Sequence, residues 1–344
     1  MRRAVGVASA FAVSLAGVAA FHLLDGPLPW LLGPLMGCLL AALAGAPLGG
    51  VAPLNDTMRT ILGVAVGASL TPAVVAGLPA HWPTLMLVPF TVLVIGLVGV
   101  PYFRRVCGYD AATAYYAAMP GGLQDMLAFG EEAGGDVRAM ALIHATRVSV
   151  IVVALPFLLE GIWGADLSGL PGAPAATLGW DQLAWMAVAA LAGWRVAKRV
   201  GLFGASILGP MLLAGALTLG GVIQSRPPAE AIWAAQFFIG MTIGSKYAGI
   251  TARELRHDVL AGLGFCAILI AITLAVVEPV VLLGLAPGLE ALLALAPGGQ
   301  AELAVLALVA GADMAFVVAH HVLRLVTVIL GAPVAARWVR GARR

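Results

Sequence analysis

Charge is what this sequence has least of. Only 10% of its 344 residues are Asp, Glu, Lys or Arg, while 61% are hydrophobic. Soluble domains carry about a quarter charged residues, so a soluble globular protein is excluded. The net charge is +2, and basic residues form no stripe outside the ends and short loops. Nucleic acid is therefore not an expected partner. Cysteine is scarce: Cys38, Cys107 and Cys266 lie far apart, with no CxxC. Neither a disulfide framework nor a zinc site follows, and each thiol reads as buried apolar filler. There is no G-x-S-x-G, H-E-x-x-H, phosphate-binding loop or haem motif. The six histidines (His22, His81, His144, His257, His320 and His321) show no copper-site spacing. These absences argue against an enzyme and suggest no cofactor and no metal site.

What the chain has in quantity is apolar length. Apolar stretches run near 4–24, 28–46, 57–78, 83–103 and 137–158, and again near 182–200, 204–222, 231–250, 258–285 and 314–336. About 20 apolar residues span a bilayer core as a helix. The start, Met1-Arg2-Arg3 followed by apolar residues, resembles a signal peptide. Its counterpart near 182–200 makes a retained helix the better reading.

The chain also repeats itself. Met119-Pro120-Gly121-Gly122, then Asp125, Asp136, His144 and Arg147, recurs as Ala296-Pro297-Gly298-Gly299, then Glu302, Asp313, His321 and Arg324, at a constant shift of 177. The same shift carries Gly63 and Gly67 onto Gly240 and Gly244, and a shift of 176 carries Gly33-Pro34 onto Gly209-Pro210. The pattern divides the chain into a first transmembrane repeat (1–159), a connector rich in Gly and Pro (160–181) and a second repeat (182–344). Internal duplication in an apolar chain is how many transporters are built.

Each copy holds one segment of a different kind, 110–134 and 287–311. It consists of a short apolar arm, Pro-Gly-Gly and a second short arm. Proline lacks the N–H, and each glycine costs about 1 kcal/mol in a helix. Each arm, at about a dozen residues, reaches about 18 Å, half a bilayer. The segment is thus a re-entrant hairpin or a helix broken at the midplane, its freed backbone buried in protein or lining a wet cavity. With hairpins, the positive-inside rule places almost every basic cluster inside, both termini included, and the acidic connector outside. Arg226 is the exception. Five crossings per copy is odd, so the expected fold is all-α, with two inverted repeats of about five transmembrane helices.

The Pro-Gly-Gly tips (Pro120, Gly121, Gly122; Pro297, Gly298, Gly299) present helix starts suited to an anionic group such as a carboxylate, or are plain kinks. Asp125 and Glu302, three residues later, are candidate H⁺ or Na⁺ coupling sites, or satisfy the helix start. Arg147 and Arg324 share a face with His144 and His321. They hold either a substrate carboxylate or the structure itself. The histidines read as hydrogen-bonded spacers, and Gln124 and Gln300 as supporting residues. Asp136 and Asp313 read as helix N-caps, and the Gly-x-x-x-Gly pairs as helix contacts. Gly33-Pro34 and Gly209-Pro210 would kink their helices.

The stretches LLGPLM and ILGPML, MPGGLQDM with ALIHATRV, and APGGQAEL with AHHVLRLV together resemble the AbrB-duplication family of bacterial membrane proteins, over about 20–335. That resemblance implies a multi-pass inner-membrane protein of poorly defined function, in a family labelled both as transcriptional regulators and as ammonia monooxygenases. Gln300-Ala301-Glu302 departs from Leu123-Gln124-Asp125 and puts strict equivalence of the two sites in question. The favoured function is secondary transport of a small, carboxylate-bearing solute. A membrane-embedded regulator of gene expression acting through a partner and an ammonia-monooxygenase-like subunit are the alternatives. The expected partners are the lipid bilayer, the solute and H⁺ or Na⁺, with a homodimer left open.

Overall fold

The computed structural model of the protein describes residues 2–49, 52–167, 169–202 and 204–341. Among them there is no strand, only an isolated bridge between Ala173 and Pro228. The helices are α1 (Arg2–Leu23), α2 (Pro29–Leu43), α3 (Ala52–Gly67), α4 (Pro72–Gly77), α5 (Trp82–Pro101), α6 (Ala111–Ala118), α7 (Leu123–Glu132) and α8 (Val137–Trp163). They continue as α9 (Trp180–Arg199), α10 (Ala205–Leu219), α11 (Ala229–Gly244), α12 (Ala252–Glu254), α13 (Leu260–Leu282), α14 (Gly288–Leu295), α15 (Gln300–Val309) and α16 (Met314–Gly341).

Five helical stretches are long and apolar enough to cross a membrane: Val5–Leu23, Val75–Val106, Val137–Trp163, Ala252–Leu282 and Met314–Gly331. The chain is thus a multi-pass membrane protein in contact with lipid. On α5, Met86, Phe90, Leu93 and Leu97 are exposed while Val88, Val92 and Ile95 are buried, the two faces of one helix. The outward stripe suits hydrocarbon.

Other apolar stretches form shorter helices than their hydropathy suggests. The apolar stretch at 57–78 breaks because α3 ends at Gly67 and Pro72, which has no N–H to continue a helix, opens α4. Helix α11 likewise ends at Gly244, ahead of Gly249 at φ +68°. At 16 residues, each covers about 24 Å. Helices α2 and α10 have 15. Pro34 and Pro210 sit inside continuous helices; neither Gly-Pro pair ends its helix.

The chain forms two compact units, and each draws on both copies of the repeat. Unit one comprises residues 1–78, 153–249 and 301–315, and unit two 79–152, 250–300 and 316–344.

Unit one is held together by glycines. A side chain on Gly17 would collide with the carbonyl of Gly33, and one on Gly193 with that of Gly209. These contacts pair α1 with α2 and α9 with α10 at a shift of 176. A Cβ on Gly63 would strike the Ile207 carbonyl, and one on Gly67 that of Met211. In the other copy Gly240 meets Leu31 and Gly244 meets Leu35 in the same way. Helix α3 therefore packs on α10 as α11 packs on α2, a reciprocal exchange between copies. The apolar clusters repeat as well: Ala10, Cys38 and Met241 pack together, as do Met186, Ala214 and Val64.

Unit two contains α5, α6, α7, residues 137–152 of α8, α12, α13, α14 and nearly all of α16. Its core joins Phe103, Tyr116, Met126, Met140 and Phe265, with the rings of Phe103 and Phe265 4.8 Å apart. Tyr102 donates its hydroxyl to the Ala261 carbonyl at 3.1 Å, tying the end of α5 to α13.

Candidate functional site

Helix α6 stops where the sequence requires it. Met119 precedes Pro120 and is extended, at φ −66° and ψ 132°, the conformation the following proline ring imposes. Ala296, before Pro297, has φ −61° and ψ 131° and ends α14. A helix that stops leaves its last carbonyls without intrahelical donors. Here the Met119 and Ala296 residues are buried, so those acceptors must be paired within the protein.

The next long helix supplies the donors. From α8, His144 Nε2 meets the Tyr116 carbonyl at 2.9 Å, and Arg147 Nη1 donates to that of Met119 at 3.1 Å. From α16, His321 Nε2 meets the Leu293 carbonyl at 2.9 Å, and Arg324 Nη1 donates to that of Ala296 at 2.5 Å. Each His–Arg pair thus performs the same task at the same register in its copy. Both histidines are fully buried, and Arg147 and Arg324 are 2% and 5% exposed.

The copies differ in one bond. Arg324 Nη2 also donates to the Gly298 carbonyl at 3.0 Å, reaching past the proline into the tip. A void of about 10 Å³ lies beside Arg324, bounded by Thr91, Val92, Ile95, Leu295 and Pro297, the size of about one water. Buried polar atoms remain on both sides without a partner: Nε of Arg147 and Arg324, and Nδ1 of His144 and His321.

The other anticipated residues fall as follows. Pro120, Pro297 and Gly298 are buried, while Gly121, Gly122, Gly299 and Gln300 are half-buried. Gln124 lies on α7, but its side chain is outside the described residues. The Asp125 carboxylate folds back over Gly122, the N-cap of α7, where a Cβ would collide with it. Glu302, in unit one, is 8% exposed. Asp136 Oδ1 accepts from the Ala139 N–H at 3.0 Å and Asp313 Oδ1 from that of Ala315 at 2.9 Å, so both cap their helices. His320 Nδ1 meets the Phe316 carbonyl, a different neighbour from that of His321.

The model of the family described as transition state regulatory protein AbrB matches residues 30–340. The chain belongs to the AbrB family. It is similar to two bacterial proteins over nearly its whole length. The "Uncharacterized protein YhjN" of Bacillus subtilis (strain 168) is 27% identical, with 95% of this chain and 89% of that protein covered. The "Putative regulator AbrB" of Escherichia coli (strain K12) is 26% identical, with 94% and 92% covered.

Two features of this AbrB family member escape the sequence. The partners of His144, Arg147, His321 and Arg324 are main-chain carbonyls, which no residue identity announces. The second is a polar cluster just ahead of α13 in unit two. Tyr109 donates to Asp258 Oδ1 at 2.6 Å, and His257 bonds through Nδ1 to Asp258 and through Nε2 to the Cys107 carbonyl. Tyr109 and Asp258 are 149 positions apart, and neither belongs to the repeated motif.

Proposed function

We propose that the protein is a secondary transporter of a small, carboxylate-bearing solute, driven by H⁺ or Na⁺. The observation that carries this reading is the pair of buried arginines, one from each copy. Each is anchored by Nη1 at the Pro-Gly-Gly break and keeps an Nε without a partner. Ionisable groups at bilayer depth are costly and mark solute or ion paths. Two buried guanidiniums beside the Pro-Gly-Gly tips suit an anion: they supply planar, bidentate donors for a carboxylate.

The reciprocal packing of α3 on α10 and α11 on α2 is compatible with two inverted repeats, and the broken elements of inverted copies would converge near the bilayer midplane. The contact between α6 and α7 favours a re-entrant hairpin. In this arrangement both termini lie in the cytoplasm of a bacterial inner membrane. Asp125 and Glu302, at the same step after each tip, are the coupling carboxylates. Charge neutralised there by H⁺ or Na⁺ relieves their repulsion of an anionic solute.

The test is uptake by purified protein in liposomes, with a panel of radiolabelled mono- and dicarboxylates under imposed H⁺ or Na⁺ gradients. Gradient-driven uptake of at least one is expected, with Arg147→Lys and Arg324→Lys raising KM. Unchanged uptake and ion dependence in Asp125→Asn and Glu302→Gln would defeat the coupling assignment. Absence of uptake for the whole panel would defeat the transporter.

A further inference from the structure

Unit one holds a cavity of about 380 Å³ that the transporter reading does not use. That volume lies in the range of small-molecule pockets. It is formed by the α1–α2 loop, the start of the connector and α11. Asp25 and Glu160, both exposed carboxylates, line it, and no Lys or Arg does. Two indoles line it as well: Trp30 and Trp233 stack with centroids 6.2 Å apart and planes 20° from parallel.

Gln236 also lines this cavity. It is 2% exposed, and its Nε2 has no hydrogen-bond partner. A buried amide donor without an acceptor costs about 1–3 kcal/mol, so the site is incomplete as it stands. The loop that shapes it is itself strained. Asp25 and Leu28 hold φ at +48° and +45°, a region that costs non-glycine residues about 1–3 kcal/mol each.

We infer that this cavity binds a small organic ammonium ion that also carries a hydroxyl or carbonyl oxygen. The ammonium is held by Asp25 and Glu160 and by the faces of the indoles, which attract cations. The oxygen accepts from Gln236 Nε2. This ligand is a cation, unlike the transported anion, and the inference does not rest on the transporter reading.

The probe is ethanolamine, read by tryptophan fluorescence of the full chain in lipid nanodiscs. A saturable change is expected with ethanolamine and none with ethylene glycol, which has similar size but no charge. Propylamine, which lacks the oxygen, should bind about tenfold more weakly than ethanolamine. Asp25→Asn with Glu160→Gln, both at exposed positions, should weaken ethanolamine about tenfold or more. Gln236→Leu should weaken ethanolamine while leaving propylamine within about twofold. Trp30→Phe with Trp233→Phe should remove the signal. An identical response to ethanolamine and ethylene glycol overturns the proposal. So does an unchanged ethanolamine affinity in the double carboxamide variant, or a signal that survives loss of both indoles. The comparisons among ligands use the unaltered chain, so a variant that fails to fold does not shelter the idea.

Discussion

Arg324 donates through Nη1 to the carbonyl oxygen of Ala296, the residue at which α14 ends, and through Nη2 to the Gly298 carbonyl beyond the proline. Arg147 makes only the first of these bonds, to Met119. The arginine therefore holds the broken segment of the second copy at two points and that of the first at one. A buried carbonyl that loses its donor costs about 1–3 kcal/mol. Arg324→Met should thus lower unfolding free energy by about 2–5 kcal/mol, and Arg147→Met by roughly half as much. Chemical denaturation in detergent, followed by circular dichroism, measures both. Equal losses would contradict the asymmetry.

The glycine contacts of unit one give a second comparison. Gly63 and Gly240 each abut a main-chain carbonyl of the facing helix, and a backbone atom cannot swing aside as a side chain can. Gly63→Ala and Gly240→Ala should therefore each destabilise by about 1–3 kcal/mol, and to a similar degree because the contacts are duplicates. Gly161 is the control. It lies in α8 with nothing within 4 Å of an added Cβ, and Gly161→Ala should stabilise by up to about 1 kcal/mol through helix propensity alone. Thermal unfolding of the three variants under one set of conditions decides it.

Much of this architecture is legible in the sequence because its signals are local. Pro120 and Pro297 break helices by removing an N–H, whatever surrounds them, and Asp136 and Asp313 cap the next residues in line. The duplication is legible for a different reason: a constant shift needs no structure to detect. What sequence does not carry is the identity of a main-chain partner. His144 and Arg147 announce that something must satisfy them, and a carboxylate is the obvious guess, yet their partners are carbonyls freed by the adjacent break. Helix lengths fail similarly. Hydropathy runs on through Gly67 to Leu78, while the backbone turns between them. The unit-one cavity is hidden because Asp25, Glu160 and Gln236 meet only through the packing of three distant segments.

The cluster at Tyr109 makes an alkaline prediction. Burial and the neighbouring Asp258 carboxylate, which accepts its hydrogen bond, both penalise the phenolate and push the Tyr109 pKa well above the ordinary tyrosine value. A group whose folded pKa is raised contributes stability fully below its unfolded pKa, about 10 for tyrosine, and loses it as pH rises beyond. Unfolding free energy should therefore decline above about pH 10 in the native chain, more steeply than in Tyr109→Phe. Parallel slopes for the two proteins would show that Tyr109 is not the group responsible.

Asp125 offers a way to separate holding a helix start from moving an ion. Its carboxylate folds over Gly122 at the first turn of α7, where a negative charge also meets the positive end of the helix. Asp125→Ala should therefore cost about 1 kcal/mol, while Asp125→Asn, which keeps the acceptor oxygen, should lose only the charge contribution of roughly 0.3–1 kcal/mol. Asparagine cannot take up and release a proton. If Asp125 serves only the helix, uptake and its ion dependence in liposomes should follow stability, with Asn near the native protein and Ala below it. If it couples, both variants should transport without regard to the ion gradient, although Asn is nearly as stable as the native chain. Measuring stability and gradient dependence on the same preparations tells the two apart, because only the coupling role separates the two readouts.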